Sequence, residues 1–168
     1  MREWGCAGGE SAFARMISTG GFGQVIVDVG LGKDAKELLA AVAAGFVIIA
    51  FEPSPHNFHS VRNGVSRLEQ NLRTRIHFVE CRRDGEGWVV PQLEAPPKRG
   101  GFAYVLFAAL DSEISTVHLS LELHNDKADM ASLGRPGSTR SGAKNVPVPA
   151  LPLDMVLPAW ASTVHLLK

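Results

Sequence analysis

The chain has 168 residues, 45% of them hydrophobic and 20% charged, and its 17 basic and 17 acidic side chains cancel to a formal net charge of zero. That is one domain's length with an ordinary globular composition. The balance excludes the basic footprint of a nucleic-acid binder, and no apolar run approaches a membrane span or a signal-peptide core. Cys6 and Cys81 lie far apart and form no CxxC, so neither a disulfide framework nor a cysteine zinc site is expected. A cytoplasmic compartment follows, with an organelle as the alternative.

In chain order, ESAFARMIS (10–18) reads as a short helix in an N-terminal extension, 1–23, and GGFGQ breaks it. VIVDV (25–29) is a β-branched run suited to a strand buried on both faces. Asp34 with Glu37 matches a capping box, and KELLAAVAA follows as a helix that Gly45 stops. FVIIAF (46–51) is a second buried strand. Its helix starts at Ser54 with Pro55 in the first turn, and Phe58, Val61, Val65, Leu68 and Leu72 form one apolar face. IHFVEC and WVVPQL flank RRDGEG, which suggests a hairpin. FAYVLFAAL (102–110) is a third apolar strand, and DSEIS turns the chain into TVHLSLELH, an alternating antiparallel strand. Residues 125–145 read as an irregular excursion, LDMVLPAW as a short helix and VHLLK (164–168) as a last strand. Strands alternating with helices predict an α/β domain over 24–168, a Rossmann-like, doubly wound, mostly parallel sheet with a small antiparallel portion.

The chemistry concentrates in the first turn. GLGKDA (30–35) fits the G-x-G-x-x-A dinucleotide fingerprint, and Glu52 stands at the distance expected of a ribose contact. A pyrophosphate sits on free N–H groups at a helix N-terminus. Here Asp28 and Asp34 bring negative charge, each costing a phosphate about 4 to 6 Å away roughly a kcal/mol or more. The turn therefore suits a ligand with a cationic end and a ribose farther along. S-adenosylmethionine has that layout, and NAD is the poorer fit.

DVGLGKD, AFEPSPHNF, FAALDSE and LPLDMVLPAWASTVHLLK together resemble successive landmarks of the FkbM family of S-adenosylmethionine-dependent methyltransferases. The resemblance runs from about Gln24 to Lys168 and is poor over 73–101. It implies O-methylation of a small-molecule or sugar hydroxyl. It also implies cofactor contacts from Asp28, Gly30 and Gly32 at the methionine end, from Glu52 to both ribose hydroxyls, and from Pro53, Ala109 and Asp111 around the adenine. Asp34 stands where the family usually has a glycine and Gly32 where it usually has asparagine. The family's acidic motif after the strand resembling VHLLK would follow Lys168, so a vestigial cofactor-binding domain is the alternative, with an NAD-binding domain behind it.

No catalytic base is identified, and Asp111 and His165 are the first candidates. His56 and His59 could share a metal but no third ligand suggests itself. Ser112 has no triad partners at recognisable spacing. His118 and His124 fall on the polar face of their strand, and Lys168 would reach the cleft. VHLLK is expected to pair beside VIVDV, leaving an edge through which the chain would self-associate. A small-molecule acceptor is the expected partner, with neither nucleic acid nor membrane.

Overall fold

The computed structural model describes residues 15, 17–18, 21, 23–32, 35–85, 87–97, 100–121, 131–133, 144–161 and 164–167. Arg15, Ile17 and Ser18 are helical, and Ile17 packs on the core. The rest of that expected helix, Asp34, His124 and Lys168 lie outside the described residues.

Five parallel strands form the main sheet: β1 (Val25–Val29), β2 (Val47–Phe51), β3 (Ile76–Glu80), β6 (Phe102–Phe107) and β11 (Val164–Leu167). Their order is β11-β1-β2-β6-β3. The three central strands are apolar apart from Asp28 in β1 because both faces are covered, and successive residues point to opposite faces. Ile26, Ile48, Ala50, Ala103 and Val105 meet one half of the core. Val25, Val27, Val47, Ile49, Phe51, Tyr104 and Leu106 meet the other.

The first half lies under two helices, α1 (Lys36–Ala43) and α2 (Pro55–Ser66). Leu38, Ala41 and Val42 of α1 and Phe58, Val61 and Val65 of α2 are buried against the sheet, as the 3.6-residue spacing predicts. Ser54 caps α2, its side chain accepting from the Asn57 N–H, and Pro55 fills the first turn where no donor is needed. A single further turn, α3 (Gln70–Arg73), carries Leu72, half-buried, toward β3. The helix α1 departs from expectation at its start. Its N-cap residue is Ala35, in the left-handed region at φ 47°, with no side-chain cap. The expected capping box of Asp34 with Glu37 rests on a residue outside the described ones. At its other end Gly45, at φ 95°, supplies the left-handed residue that closes a helix.

The second half of the core has no long helix among the described residues. It is covered by Leu93 and its neighbours, by α4 (Leu153–Val156) and by Trp160 and Ala161. Among the described residues, two helices cover one face and mostly extended chain covers the other. The connection from β3 to β6 shows why. It holds a two-residue hairpin, β4 (Arg82–Arg83) with β5 (Trp88–Val89), instead of a helix. IHFVE is likewise no hairpin arm; it pairs in parallel with β6 at the edge of the main sheet.

After β6 the chain steps at Ala108 into a second sheet of order β7-β10-β8-β9. It comprises β7 (Ala109–Leu110), β8 (Ser115–Leu121), β9 (Ala131–Leu133) and β10 (Lys144–Leu151). On β8, Leu119 is buried and His118 exposed, as alternation requires. The strand β9 and the first two residues of β10 lie where irregular chain was expected over 125–145, and β10 runs on through Pro147 and Pro149, residues that disfavour a strand. Two prolines spaced by two place their missing donors on one side. That side is open until Ala150 meets Ala109, so no ladder bond is lost.

Candidate functional site

In an open parallel sheet, a ligand crevice forms at the carboxyl ends of the strands where the chain reverses its direction of building. Here β2, β3 and β6 build out on one side of β1, and β11 returns to the other. The reversal falls between β1 and β11, whose parallel pairing joins Val27 to Leu167. The loop after β1 carries Gly30 and Gly32, and the loop after β2 carries Glu52 and Pro53.

These two loops are tied together. The register sets Asp28 opposite Ala50 and Val29 opposite Phe51, and the Gly30 N–H donates to the Phe51 carbonyl at 2.8 Å. Glu52 is only 3% exposed. Its Oε1 accepts from the Ser54 N–H at 2.8 Å and its Oε2 from the Gly32 N–H at 3.2 Å. The Asn57 side chain and the Leu31 backbone favour its charged form as well. Burial pushes the Glu52 carboxyl above its ordinary value; the hydrogen bonds pull the other way and lose. Asp28, 5% exposed, is a second buried carboxyl on the neighbouring strand. A buried acid with a raised pKa at a switch point is a functional-site signal.

Gly30 and Gly32 adopt φ 91° and 67°, and a methyl built on either meets nothing within 4 Å. Backbone conformation requires the glycines, and the space beside them is open. Pro53 is half-buried between Glu52 and Ser54. The structure thus gathers Asp28, Gly30, Gly32, Glu52 and Pro53.

Ala109 and Asp111 go elsewhere. Ala109 is buried opposite Ala150 in the second sheet. Asp111 is exposed; its N–H donates to the Leu151 carbonyl at 3.2 Å, and its Oδ1 accepts from the Ser112 N–H at 2.7 Å. That is the local bonding of a turn. The link from this region to the site is the end of β6, where the Leu106 carbonyl accepts from the Glu52 N–H at 3.0 Å. Sequence reasoning missed Asn57 altogether. Its signal was available in SPHN, where the cap at Ser54 puts Asn57 in the same helical turn, beside Glu52.

A cleft of about 460 Å³ between α1 and α2 reaches Ala35 at the end of the glycine turn, and one of about 420 Å³ is lined by 90–93 and 155–160; Asp28, Gly30, Gly32 and Glu52 line neither. Among the described residues no three His, Cys, Asp or Glu side chains gather as metal ligands, and no helix is long and apolar enough to cross a membrane.

Compared with protein-family models, curated proteins and solved structures, the chain matches none. The α/β class, with its parallel sheet and smaller antiparallel sheet, is what the structure establishes.

Proposed function

We propose that the chain binds S-adenosylmethionine at the carboxyl ends of β1 and β2, in a Rossmann-like arrangement that serves methyl transfer to a hydroxyl of a small or sugar-like acceptor. The observation that carries this reading is the Glu52 carboxylate, buried at the end of the second strand and hydrogen-bonded to Gly32 in the turn after the first.

The same bond bears on NAD. A pyrophosphate needs the free N–H groups of the glycine turn, and here the Gly32 N–H is already given to an anion. A phosphate would have to displace a carboxylate and then sit beside it, with Asp28 on the adjoining strand. A sulfonium or ammonium meets no such repulsion. These two buried carboxyls are the support for this preference.

When bound, S-adenosylmethionine supplies an electrophilic methyl group on its sulfonium. The chain's share is to seat the ribose on Glu52 and the cationic end near Asp28 and the open turn, and to orient an acceptor oxygen in line. Of the two candidates for taking the acceptor's proton, Asp111 is held in the turn after β7, which leaves His165, on β11 beside β1.

One observation favours a second reading. Each oxygen of the Glu52 carboxylate already accepts a backbone N–H, one from each of the two loops. Glu52 is then a clamp between two loops in a domain without catalysis. Equilibrium titration with S-adenosylhomocysteine separates the two. Saturable binding that Glu52→Gln weakens supports the cofactor site, and binding indifferent to Glu52→Gln supports the clamp.

A further inference from the structure

Thr116, near the start of β8, ties the β4–β5 hairpin to the second sheet. Its Oγ1 accepts from the Trp88 Nε1–H at 3.0 Å and from Arg83 Nη2 at 3.1 Å. A hydroxyl oxygen carries a pair of acceptor sites and a single proton. Both acceptor sites are taken, so the Thr116 O–H must point in the remaining direction, and it meets no acceptor among the described residues. Thr116 and Trp88 are half-buried and Arg83 is exposed, so the cluster is accessible from solvent.

Arg83 has capacity left as well. Its guanidinium carbon lies 4.8 Å from the centroid of the Trp88 ring, a contact that steadies the group without spending an N–H. One N–H goes to Thr116 and none to a carboxylate, since Arg83 has no ion pair among the described residues. Arg62, by contrast, is matched by Glu80 at 2.7 Å. The edge of a guanidinium offers parallel N–H groups, and the hydroxyl adds another donor beside it. That is one donor for each terminal oxygen of a phosphate monoester. A carboxylate has an oxygen too few and carries less charge.

We propose that Arg83 and Thr116, backed by the Trp88 indole, bind the phosphate group of a phosphorylated small molecule. His118, exposed on the same face of β8 one alternation further on, borders the site. The site lies past the carboxyl ends of β3 and β6, where the chain leaves the main sheet for the hairpin and the second sheet. It does not depend on the cofactor reading of Glu52.

The test is an NMR titration in phosphate-free buffer at fixed ionic strength, reading the indole N–H signals of the three tryptophans. Trp88→Phe identifies the Trp88 signal. Inorganic phosphate should move that signal saturably, and glycerol phosphate should bind at least as tightly. Acetate should bind about tenfold more weakly. Arg83→Gln and Thr116→Val should each weaken phosphate by about tenfold. Thr116→Ser keeps the hydroxyl and should bind within about twofold of the unaltered protein. Arg82→Gln should do the same, because alternation puts that side chain on the other face of the hairpin. A shift that never saturates, acetate as tight as phosphate, or equal losses from Arg82→Gln and Arg83→Gln would overturn the site. Lost binding in Thr116→Ser would overturn the hydroxyl's role. A phosphoserine peptide that binds while glycerol phosphate does not would overturn the small-molecule assignment. Should Thr116→Val not fold, the two arginine variants decide, both being exposed residues of β4.

Discussion

Removing the Glu52 carboxylate should separate what it does for the fold from what it does for a ligand. Glu52→Ala strips the acceptor from the Ser54 and Gly32 N–H groups in a setting that is only 3% exposed. Each orphaned donor costs about 1–3 kcal/mol, and release of the buried charge offsets part of that, which leaves a net loss of about 2–4 kcal/mol. For a chain of this length that lowers Tm by roughly 5–15 °C. Glu52→Gln keeps one oxygen for Ser54, sacrifices the longer bond to Gly32, and removes the buried charge. It should lie within about 1 kcal/mol of the unaltered protein at pH 7. The pH dependence carries the sign. The folded carboxyl titrates above its ordinary 4.5, so between that value and the folded one the native state holds more protons than the unfolded state. Stability from this group is complete below 4.5 and is lost as pH rises through the folded pKa. Urea unfolding followed by circular dichroism from about pH 4 to 8 should show the unaltered protein losing stability relative to Glu52→Gln across that window. A relative gain with rising pH would mean that the hydrogen bonds outweigh burial. Equal stabilities of the Ala and Gln variants would mean that no clamp exists.

Three further outcomes follow from neighbouring geometry. A methyl on Gly101 would run into the Val42 carbonyl oxygen, a backbone atom at the end of α1, so Gly101→Ala should cost about 3 kcal/mol in denaturant unfolding; an unchanged midpoint would refute the packing of α1 on β6. Gly32→Ala has room for its methyl but not the φ of 67°, and thermal unfolding should register a loss of about 1–2 kcal/mol. Burial pushes the Cys81 thiol up to about 11, so alkylation with iodoacetamide at pH 7 should be slow in the native state and fast in urea; rapid native labelling would contradict its burial.

What the sequence made legible was periodic. VIVDV, VIIAF and the Phe58–Val61–Val65 face are runs whose own spacing says strand or helix, and the caps at Ser54 and Gly45 are chemical signals local to one turn. The loops that meet at Glu52 were legible too, since a glycine turn and an acidic strand end at fixed separation identify adjacent parallel strands. What stayed hidden depends on partners distant in the chain. β10 is a strand because β8 pairs with it and its prolines face an open side, which no local pattern reveals. IHFVE looks like a hairpin arm until β6 inserts between it and β2. Asp111 reads equally well as a site residue and as a turn former, and the turn is where its bonds go. Ala35 holds the N-cap position of α1 in a left-handed conformation that no local pattern announces, at a helix end where boundaries are least sharp.

The most direct measurement is a pair of calorimetric titrations on the unaltered protein, one with S-adenosylhomocysteine and one with NAD. Two buried carboxyls at the glycine turn predict saturable binding of S-adenosylhomocysteine, with NAD weaker by about tenfold or more, or some 1.4 kcal/mol. Tighter binding of NAD, or no binding of S-adenosylhomocysteine at millimolar concentration, would contradict the account.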